Sequence, residues 1–299
     1  MKEQIKDAFK EVQDYITSEL EKLDGEATFQ EDIWEREEGG GGRTRVISNG
    51  AVFEKGGVNF SEVYGPVTEL MQQQLGLKGK HFYATGVSIV LHPHNPFHPI
   101  MHMNIRYFEM DNGKTYWFGG GIDMTPHYVE ERLASNFHQE LKTICDKYNS
   151  AFYPKFKEWA DDYFFIPHRN ETRGVGGIFY DHQSAENSGI SKEDLLRFAI
   201  DLGEAFPHLY SYQVQQNKEP SFTEDHIKWR NLRRGRYVEF NLVYDRGTKF
   251  GLKTGGRIES ILMSLPENAS WFYDFKPEKG SPEEKTNASL IKNKNWIKL

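Results

Sequence analysis

The chain has 299 residues, with 37 Lys and Arg against 44 Asp and Glu, a formal net charge of −7 and a single cysteine, Cys145. The acidic balance argues against a general nucleic-acid binder, because such proteins usually carry a basic surplus. One cysteine cannot form an intramolecular disulfide, and no stretch approaches the roughly 18 consecutive apolar residues of an integral membrane helix. The N-terminus lacks the apolar core of a secretory signal, so we expect a cytoplasmic protein.

The first 25 residues are predicted to form an N-terminal helix, since apolar residues recur at helical spacing from Ile5 to Leu23. Four consecutive glycines follow at positions 39–42. A flexible linker is one interpretation of such a run. The strand-like residues at 46–53 favour the other interpretation, in which the glycines belong to a structured region.

The middle of the chain is rich in strand patterns. Apolar or alternating segments at 82–92, 101–109 and 116–124 predict three strands. The turn at 111–114 contains Asn-Gly, the strongest short-range hairpin signal, so the last two strands should pair antiparallel. Three prolines between the first two strands indicate a loop there.

The second half is predicted to be largely helical, with helices at about 127–163 (broken near Pro154), 191–217 and 222–233. Two further strands are predicted at 237–245 and 258–265, and a charged C-terminal tail at 277–299. Strands in hairpins with helices before, between and after them predict a single α+β domain over residues 1–299.

Histidines are concentrated before and within the second of these strands. Four of the eleven fall between positions 92 and 102, a density that suggests a metal site. The strand period puts His102, Asn104 and Arg106 on one face, while Ser88 and His92 share a face on the preceding strand. Known metal-ligand spacings do not occur here, so a histidine that makes hydrogen bonds in a polar cleft is the alternative.

The face with His102, Asn104 and Arg106 is either an ordinary solvent face or the floor of a pocket for an anionic, partly flat ligand. Gly119–Gly121 lie on the next strand, and such glycines mark the close approach of a ligand or another backbone. Asp123 follows them directly. It is either a helix N-cap or a poorly solvated carboxylate with a raised pKa, suited to a general base.

The densest segment, residues 159–181, leads from aromatic residues to His168, Arg169, Arg173 and three glycines. It matches neither a P-loop nor a dinucleotide fingerprint, so nucleotide binding is poorly supported. Arg169 and Arg173 lie four residues apart and suit bidentate binding of carboxylates. Gly255–Arg257 combines glycine and arginine again. Arginines distributed in this way indicate a ligand with several separated carboxylates.

These motifs resemble those of the oxygen-dependent coproporphyrinogen-III oxidases. The resemblance spans nearly the whole chain and rests on long stretches: EKGGVNFS at 54–61, HMNIR at 102–106, FGGGIDMTP at 118–126, FFIPHRNETRGVGGIFYD at 164–181 and GRYVEFNLVYDRGT at 235–248. It implies a large antiparallel β-sheet flanked by helices on both sides, in a protein that works as a homodimer.

The resemblance also implies the reaction. Two propionate side chains of coproporphyrinogen III are oxidatively decarboxylated to vinyl groups, giving protoporphyrinogen IX in haem and porphyrin biosynthesis. Molecular oxygen is the co-substrate, no organic cofactor takes part, and carbon dioxide and hydrogen peroxide are released.

Site residues follow from the matching motif positions. The resemblance implies that His102 donates a proton and that Asp123 engages the pyrrole nitrogens of the substrate. The implied substrate contacts are Ser88, Asn104, Ile105, Arg106, Gly255, Gly256 and Arg257, to which the residue pattern adds Arg169 and Arg173. A divalent metal is implied for bacterial members, with the ligands His92, His102, His138 and His168, whereas other members are regarded as needing no metal.

Two other classes of protein stay open on the sequence. A tetrapyrrole-binding module without catalysis would use the same arginines and aromatic residues but would not need Asp123. A metal-dependent oxygenase would instead depend on the histidines.

Overall fold

A computed structural model describes residues 1–69, 72, 79–217, 221–253 and 255–297. Its strands are β1 (Gln30–Glu35), β2 (Gly40–Ser48), β3 (Phe53–Pro66), β4 (His81–Pro93), β5 (Ile100–Met110), β6 (Thr115–Thr125), β7 (Phe165–Ile166), β8 (Glu171–Thr172) and β9 (Gly177–Gln183). Seven of them form one antiparallel sheet in the order β1-β2-β3-β4-β5-β6-β9, and β7 pairs with β8 in a separate hairpin.

Helices cover both sides of this sheet, as expected. Within the described residues they are α1 (Lys2–Asp24), α2 (Glu131–Asp146), α3 (Phe152–Tyr163), α4 (Ala185–Ser188), α5 (Lys192–Gln216), α6 (Glu224–Glu239), a π-helix (Phe240–Tyr244), α7 (Arg246–Lys253), α8 (Ile258–Leu262) and α9 (Pro282–Ser289). None of these described helices is long and apolar enough to cross a membrane.

The predictions for the first half of the chain are confirmed. The N-terminal helix is α1, the glycine run begins β2, and the three central strands are β4, β5 and β6. The β5–β6 hairpin turns at Asp111, Asn112 and Gly113, all with positive φ, which is the conformation that Asn-Gly turns favour.

The two faces of the sheet differ in character. Side chains such as Met103, Ile105 and Ile122 form one apolar face, which packs against α1, α2, α3 and α5 in the main core. The opposite face, called the polar face below, carries a row of paired residues across four strands: Asn59, Ser88, Asn104 and Gly121. Helices α6 and α8 lie on this side, where Ser260 is 2.9 Å from Thr44 on β2.

The two strands predicted at 237–245 and 258–265 are wrong. Residues 224–244 are the helix α6 and the π-helix that continues it, and 258–262 is the helix α8. The buried positions of α6 do follow helical spacing, but three of them are Arg230, Arg233 and Arg234. The helix predicted at 222–233 is confirmed as the first part of α6. The prediction fails beyond it, because the β-branched and aromatic residues after 236 imitate a strand.

Two smaller details differ from expectation. The helical region 127–163 is broken at 147–151, between α2 and α3, while Pro154 lies in the first turn of α3, where its missing N–H costs nothing. The charged C-terminal tail is partly integrated into the fold, since Leu290 and Trp296 are buried.

Asp24 ties the end of α1 to the start of β3. Its buried carboxylate accepts hydrogen bonds from the backbone N–H groups of Ala27, Ala51, Val52 and Phe53 at 2.9–3.0 Å. We expect Asp24→Ala to lower the free energy of unfolding by about 3 kcal/mol at pH 7, because buried donors lose a charged acceptor. Urea unfolding of the two proteins measures this difference.

The same comparison should depend on pH. Burial alone raises the pKa of Asp24, but the N–H donors of Ala27 and Phe53 lower it below its usual value. The carboxylate therefore stabilises the fold above the pKa of the unfolded chain, near 4, and this contribution is lost as the pH falls through the lower folded value. A gap between wild type and Asp24→Ala that stays constant from pH 7 to 3 would contradict this role.

Candidate active site

The centre of the polar face is a pair formed across β5 and β6. His102 and Asp123 are directly paired in the register of these strands, and Nδ1 of His102 lies 2.7 Å from Oδ1 of Asp123. The side chain of His102 is 17% exposed, whereas Asp123 is buried. The pair therefore has one solvent-facing member, the imidazole, and one buried member, the carboxylate.

Arg173, which follows β8, reaches the same carboxylate. Its Nη2 lies 2.6 and 2.7 Å from the two oxygens of Asp123, and its Nε donates to Oδ2 at 3.2 Å. The remaining nitrogen, Nη1, donates to Oδ1 of Asn241 at 2.8 Å. Arg173 is buried, so its guanidinium is directed at the protein's own carboxylate. Sequence reasoning placed it on a substrate carboxylate.

The raised pKa expected for Asp123 is wrong. Burial does act in that direction, but Arg173 and His102 outweigh it and hold the pKa below its ordinary value. Asp123 is therefore ionised at neutral pH. It is not a helix N-cap either, because it lies within β6 and the cap of α2 is Glu130.

Arg106 occupies the same face two residues beyond Asn104. Its Nη1 donates to Oδ1 of Asn104 at 3.0 Å, and its Nη2 lies 3.0 Å from Oδ2 of Asp181 on β9. The side chain is 38% exposed, which leaves part of the guanidinium accessible to a ligand. Sequence reasoning did not single out Asp181, although it is the last residue of the motif at 164–181.

The glycines of β6 make room for the protein itself. A Cβ at Gly119 would lie 2.6 Å from Asp181 and 2.7 Å from Nε of Arg106. A Cβ at Gly120 would meet the carbonyl of Asn104 at 2.6 Å. Of the two interpretations of this run, close approach of neighbouring protein groups is the one that the structure supports.

Stacked aromatic rings border the polar face beyond Arg106. The rings of Phe108 and Trp117 are 4.3 Å apart between centroids, and Trp117 stacks on His182 at 4.8 Å. Trp117 and His182 were not predicted as part of a site. The period of two that puts Arg106 on this face also puts Phe108 there, and Trp117 joins them because it pairs with Phe108.

The other predicted substrate contacts are spread over the structure. Ser88 pairs with Asn104, whereas the side chain of Ile105 points into the apolar core. Arg257 precedes α8 and pairs with Asp32 on β1, at the far edge of the sheet. Gly255 and Gly256 lie directly before it, between α7 and α8.

Arg169, in the turn between β7 and β8, is engaged by the protein. It forms two hydrogen bonds with the carboxylate of Glu239, at 2.6 and 2.8 Å. Glu239 also accepts from His168 and Arg236, and although burial acts in the other direction, these partners lower its pKa to about 2.

The four histidines proposed as metal ligands are not brought to one point. His92 bonds to the carbonyl of Ser264, and His138 bonds to Tyr153 and to the carbonyl of Val175. His168 contacts Tyr244 and Glu239. Throughout the part of the chain that the structure describes, no three His, Cys, Asp or Glu side chains are grouped so that they can hold a metal ion. This donor set does not fit a metal centre.

Comparison with known proteins shows which family this sequence matches. The family model described as "Coproporphyrinogen III oxidase" matches residues 4–296. "Coproporphyrinogen-III oxidase 1, chloroplastic" of Arabidopsis thaliana is 49% identical over 299 aligned residues, which cover 95% of this chain and 76% of the relative.

Two further plant relatives are equally similar. "Oxygen-dependent coproporphyrinogen-III oxidase, chloroplastic" of Nicotiana tabacum is 49% identical over 303 residues, covering 96% of this chain and 75% of the relative. The protein of the same name from Glycine max is 49% identical over 302 residues, with 96% and 77% covered. The chain belongs to the coproporphyrinogen III oxidase family.

Proposed function

We infer that the protein is an oxidoreductase that converts coproporphyrinogen III to protoporphyrinogen IX by oxygen-dependent oxidative decarboxylation, a step of porphyrin biosynthesis. Family membership over residues 4–296 supports the reaction. The structural observation that carries it is the buried ionised Asp123, bonded to His102 on the same sheet face as the partly exposed Arg106. Molecular oxygen is the co-substrate.

The chemistry needs a proton-handling group and binding of carboxylates. Each propionate loses carbon dioxide and a hydride equivalent, and the hydride equivalent with one further proton reduces O₂ to hydrogen peroxide. The porphyrinogen is electron-rich, and removal of a pyrrole N–H proton raises the electron density of the ring that reacts with O₂. The protein then has to move this proton, hold the propionates and exclude water from the intermediates.

We propose that His102 is the residue that moves the pyrrole proton. Because Asp123 is ionised, it accepts a hydrogen bond from the N–H at Nδ1 of His102, and Nε2 is left as the base on the polar face. The same nitrogen acts as the donor once it is protonated. Asp123 then orients His102, and both its oxygens are already engaged by Arg173.

We propose that the carboxylates of the substrate are bound at separated points of the polar face. Arg106 on β5 and Arg257 near β1 are about four strand spacings apart, roughly 19 Å, which suits a ligand with carboxylates on opposite edges. Ser88, Asn104, the backbone of Ile105 and Gly255–Gly256 line the proposed site between and beside them.

Replacing Arg106 tests this site. We expect Arg106→Ala to weaken binding by about 2 kcal/mol, roughly 30-fold, because a substrate carboxylate would lose a charge-assisted partner in a covered site. Arg106→Lys keeps the charge but not the planar fork, so its loss should be smaller. Anaerobic titration with coproporphyrinogen III measures all three affinities, with the exposed Arg197→Ala as control. Equal affinities in the wild type and both variants would mean that Arg106 pairs with Asp181 and does not bind the substrate.

One assay separates the candidate functions. Chelator-treated protein is incubated with coproporphyrinogen III in air, and vinyl products are quantified by chromatography together with O₂ consumption. We expect two O₂ consumed per protoporphyrinogen formed, without added metal or organic cofactor. Substrate binding without any product would identify a tetrapyrrole-binding module instead. Product that appears only after a divalent metal is restored would identify a metal-dependent oxygenase.

We also propose a homodimer to which the region 237–265 contributes. Large apolar side chains are exposed there, namely Leu242, Val243, Leu252 and Ile258. Sedimentation at micromolar concentration should show a species of twice the chain mass of 34.8 kDa. A monomer alone would contradict the proposal.

The predicted cytoplasmic location, consistent with the free and buried Cys145, is tested by cell fractionation.

A further inference from the structure

The guanidinium of Arg173 lies inside a cage of three aromatic rings. Its central carbon is 4.4 Å from the ring centre of Phe164, 4.6 Å from Tyr237 and 4.7 Å from Phe240. The side chain is 2% exposed. A guanidinium over aromatic faces is attracted by the ring quadrupoles, and the attraction is larger where water is excluded, as it is here.

The cage is assembled from two separate parts of the chain. Phe164 follows α3, Tyr237 belongs to α6, and Phe240 begins the π-helix, which also supplies Asn241 as the acceptor for Nη1. With Nε and Nη2 on Asp123, each of the three nitrogens has a hydrogen-bond acceptor. The rings and Asn241 therefore hold the guanidinium in the orientation in which its Nε and Nη2 face Asp123.

The contact of Nε and Nη2 of Arg173 with Asp123 fixes how the carboxylate of Asp123 is oriented. A bidentate arginine–carboxylate pair fixes the plane of the carboxylate as well as its charge. With that plane fixed, Oδ1 lies 2.7 Å from Nδ1 of His102. A lysine supplies a point charge and no fork, so it cannot hold the carboxylate plane in the same way.

We propose that Arg173 is a positioning residue: it does not bind the substrate, but holds Asp123 so that Asp123 in turn orients His102, and the ring cage keeps Arg173 in place. The activity test of this proposal rests on the proposed function. The sequence-based expectation that Arg173 binds a substrate carboxylate makes a different prediction, because loss of such a contact raises KM.

The experiment compares wild type, Arg173→Ala, Arg173→Lys and Phe240→Leu. We expect Arg173→Ala to lower kcat by about 100-fold with KM within threefold, and added guanidinium ions to restore at least a tenth of the activity by entering the cage. Arg173→Lys should retain more turnover than Arg173→Ala but less than a tenth of wild type. Arg197→Ala, an exposed arginine on α5, is the control and should respond neither to the change nor to guanidinium.

Phe240→Leu keeps the test valid if Arg173→Ala does not fold. It removes one ring of the cage and leaves the ion pair, so kcat should fall three- to tenfold at unchanged KM. An increase in KM at unchanged kcat in the Arg173 variants would overturn the proposal and assign Arg173 to substrate binding. Wild-type kcat in folded Arg173→Ala or in Phe240→Leu would overturn it as well.

A second measurement does not depend on turnover. The proton on Nδ1 of His102, shared with a fixed carboxylate, should give a downfield NMR resonance in the wild type that is lost or shifted in Arg173→Ala and unchanged in Arg197→Ala. An unchanged resonance in Arg173→Ala overturns the positioning role even if the wild type has no oxidase activity. An inactive wild type in which the resonance depends on Arg173 contradicts the proposed function alone.

Discussion

Asp123→Asn should lower turnover by at least about 100-fold, the low end for loss of a positioned acid–base system. The amide has the size of the carboxylate but only one acceptor oxygen. If that oxygen faces Arg173, the NH₂ group faces His102 and forces the imidazole proton onto Nε2, which is the wrong tautomer for a base. The substitution therefore acts on His102 without removing it.

The Asp123→Asn variant also leaves the buried Arg173 without its counter-charge. Breaking a buried pair in this way costs about 3–5 kcal/mol of stability, so folding must be verified by circular dichroism before rates are compared. Vinyl formation at saturating O₂ gives the turnover. Asp146→Asn, which removes a partly exposed helix pair with Lys142, is the matched control. Turnover like that of wild type in folded Asp123→Asn would remove Asp123 from the mechanism.

The second large effect is expected for Glu54→Gln, and it concerns stability. Glu54, at the start of β3, is buried and pairs with both Arg230 and Arg234 of α6. Burial and the neighbouring Arg230 lower the pKa of Arg234 to about 10, so Arg234 still carries its charge at neutral pH. Without the carboxylate, two buried cations face each other, and we expect a loss of about 3–5 kcal/mol.

Urea unfolding at pH 7 measures the loss in Glu54→Gln. Glu19→Gln, which removes one partner of an exposed pair with Lys22 on α1, should change the free energy of unfolding by less than about 0.5 kcal/mol. A similar small change in Glu54→Gln would show that water or backbone carbonyls compensate the arginines. The result also bears on the site, since α6 carries Tyr237 of the ring cage.

Local patterns predict the centre of the sheet well. Strand β5 alternates strictly, and the Asn-Gly turn sets its pairing with β6, so the placement of His102 beside Asp123 needs only the register of one hairpin. Residues 237–265 were predicted wrongly for a physical reason. Val238, Phe240, Val243 and Tyr244 are residue types that favour strands, but the structure holds them in the end of α6 and in the π-helix, where Phe240 packs against Arg173.

The sequence predicts which residues belong to the candidate site better than it predicts which of them contact each other. His102, Arg106, Asp123 and Arg173 were all named, but the ion pair of Asp123 with Arg173 joins residues 50 positions apart through a turn outside the main sheet. Burial alone raises the pKa of a carboxylate, whereas a neighbouring arginine lowers it. The pair with Arg173 therefore reverses the pKa shift expected for Asp123. The sequence around Asp123 gives no sign of a contact with Arg173, and the sequence around Arg173 gives no sign of a contact with Asp123.

Strand β5 serves folding and chemistry on alternate residues. Met101, Met103, Ile105 and Tyr107 are completely buried in the core, while His102, Asn104 and Arg106 between them line the proposed site. Inserting one residue would exchange the two sets, placing an arginine in the core and methionines in the site. A change of one residue in the length of this strand is therefore far more disruptive than a substitution on either of its faces.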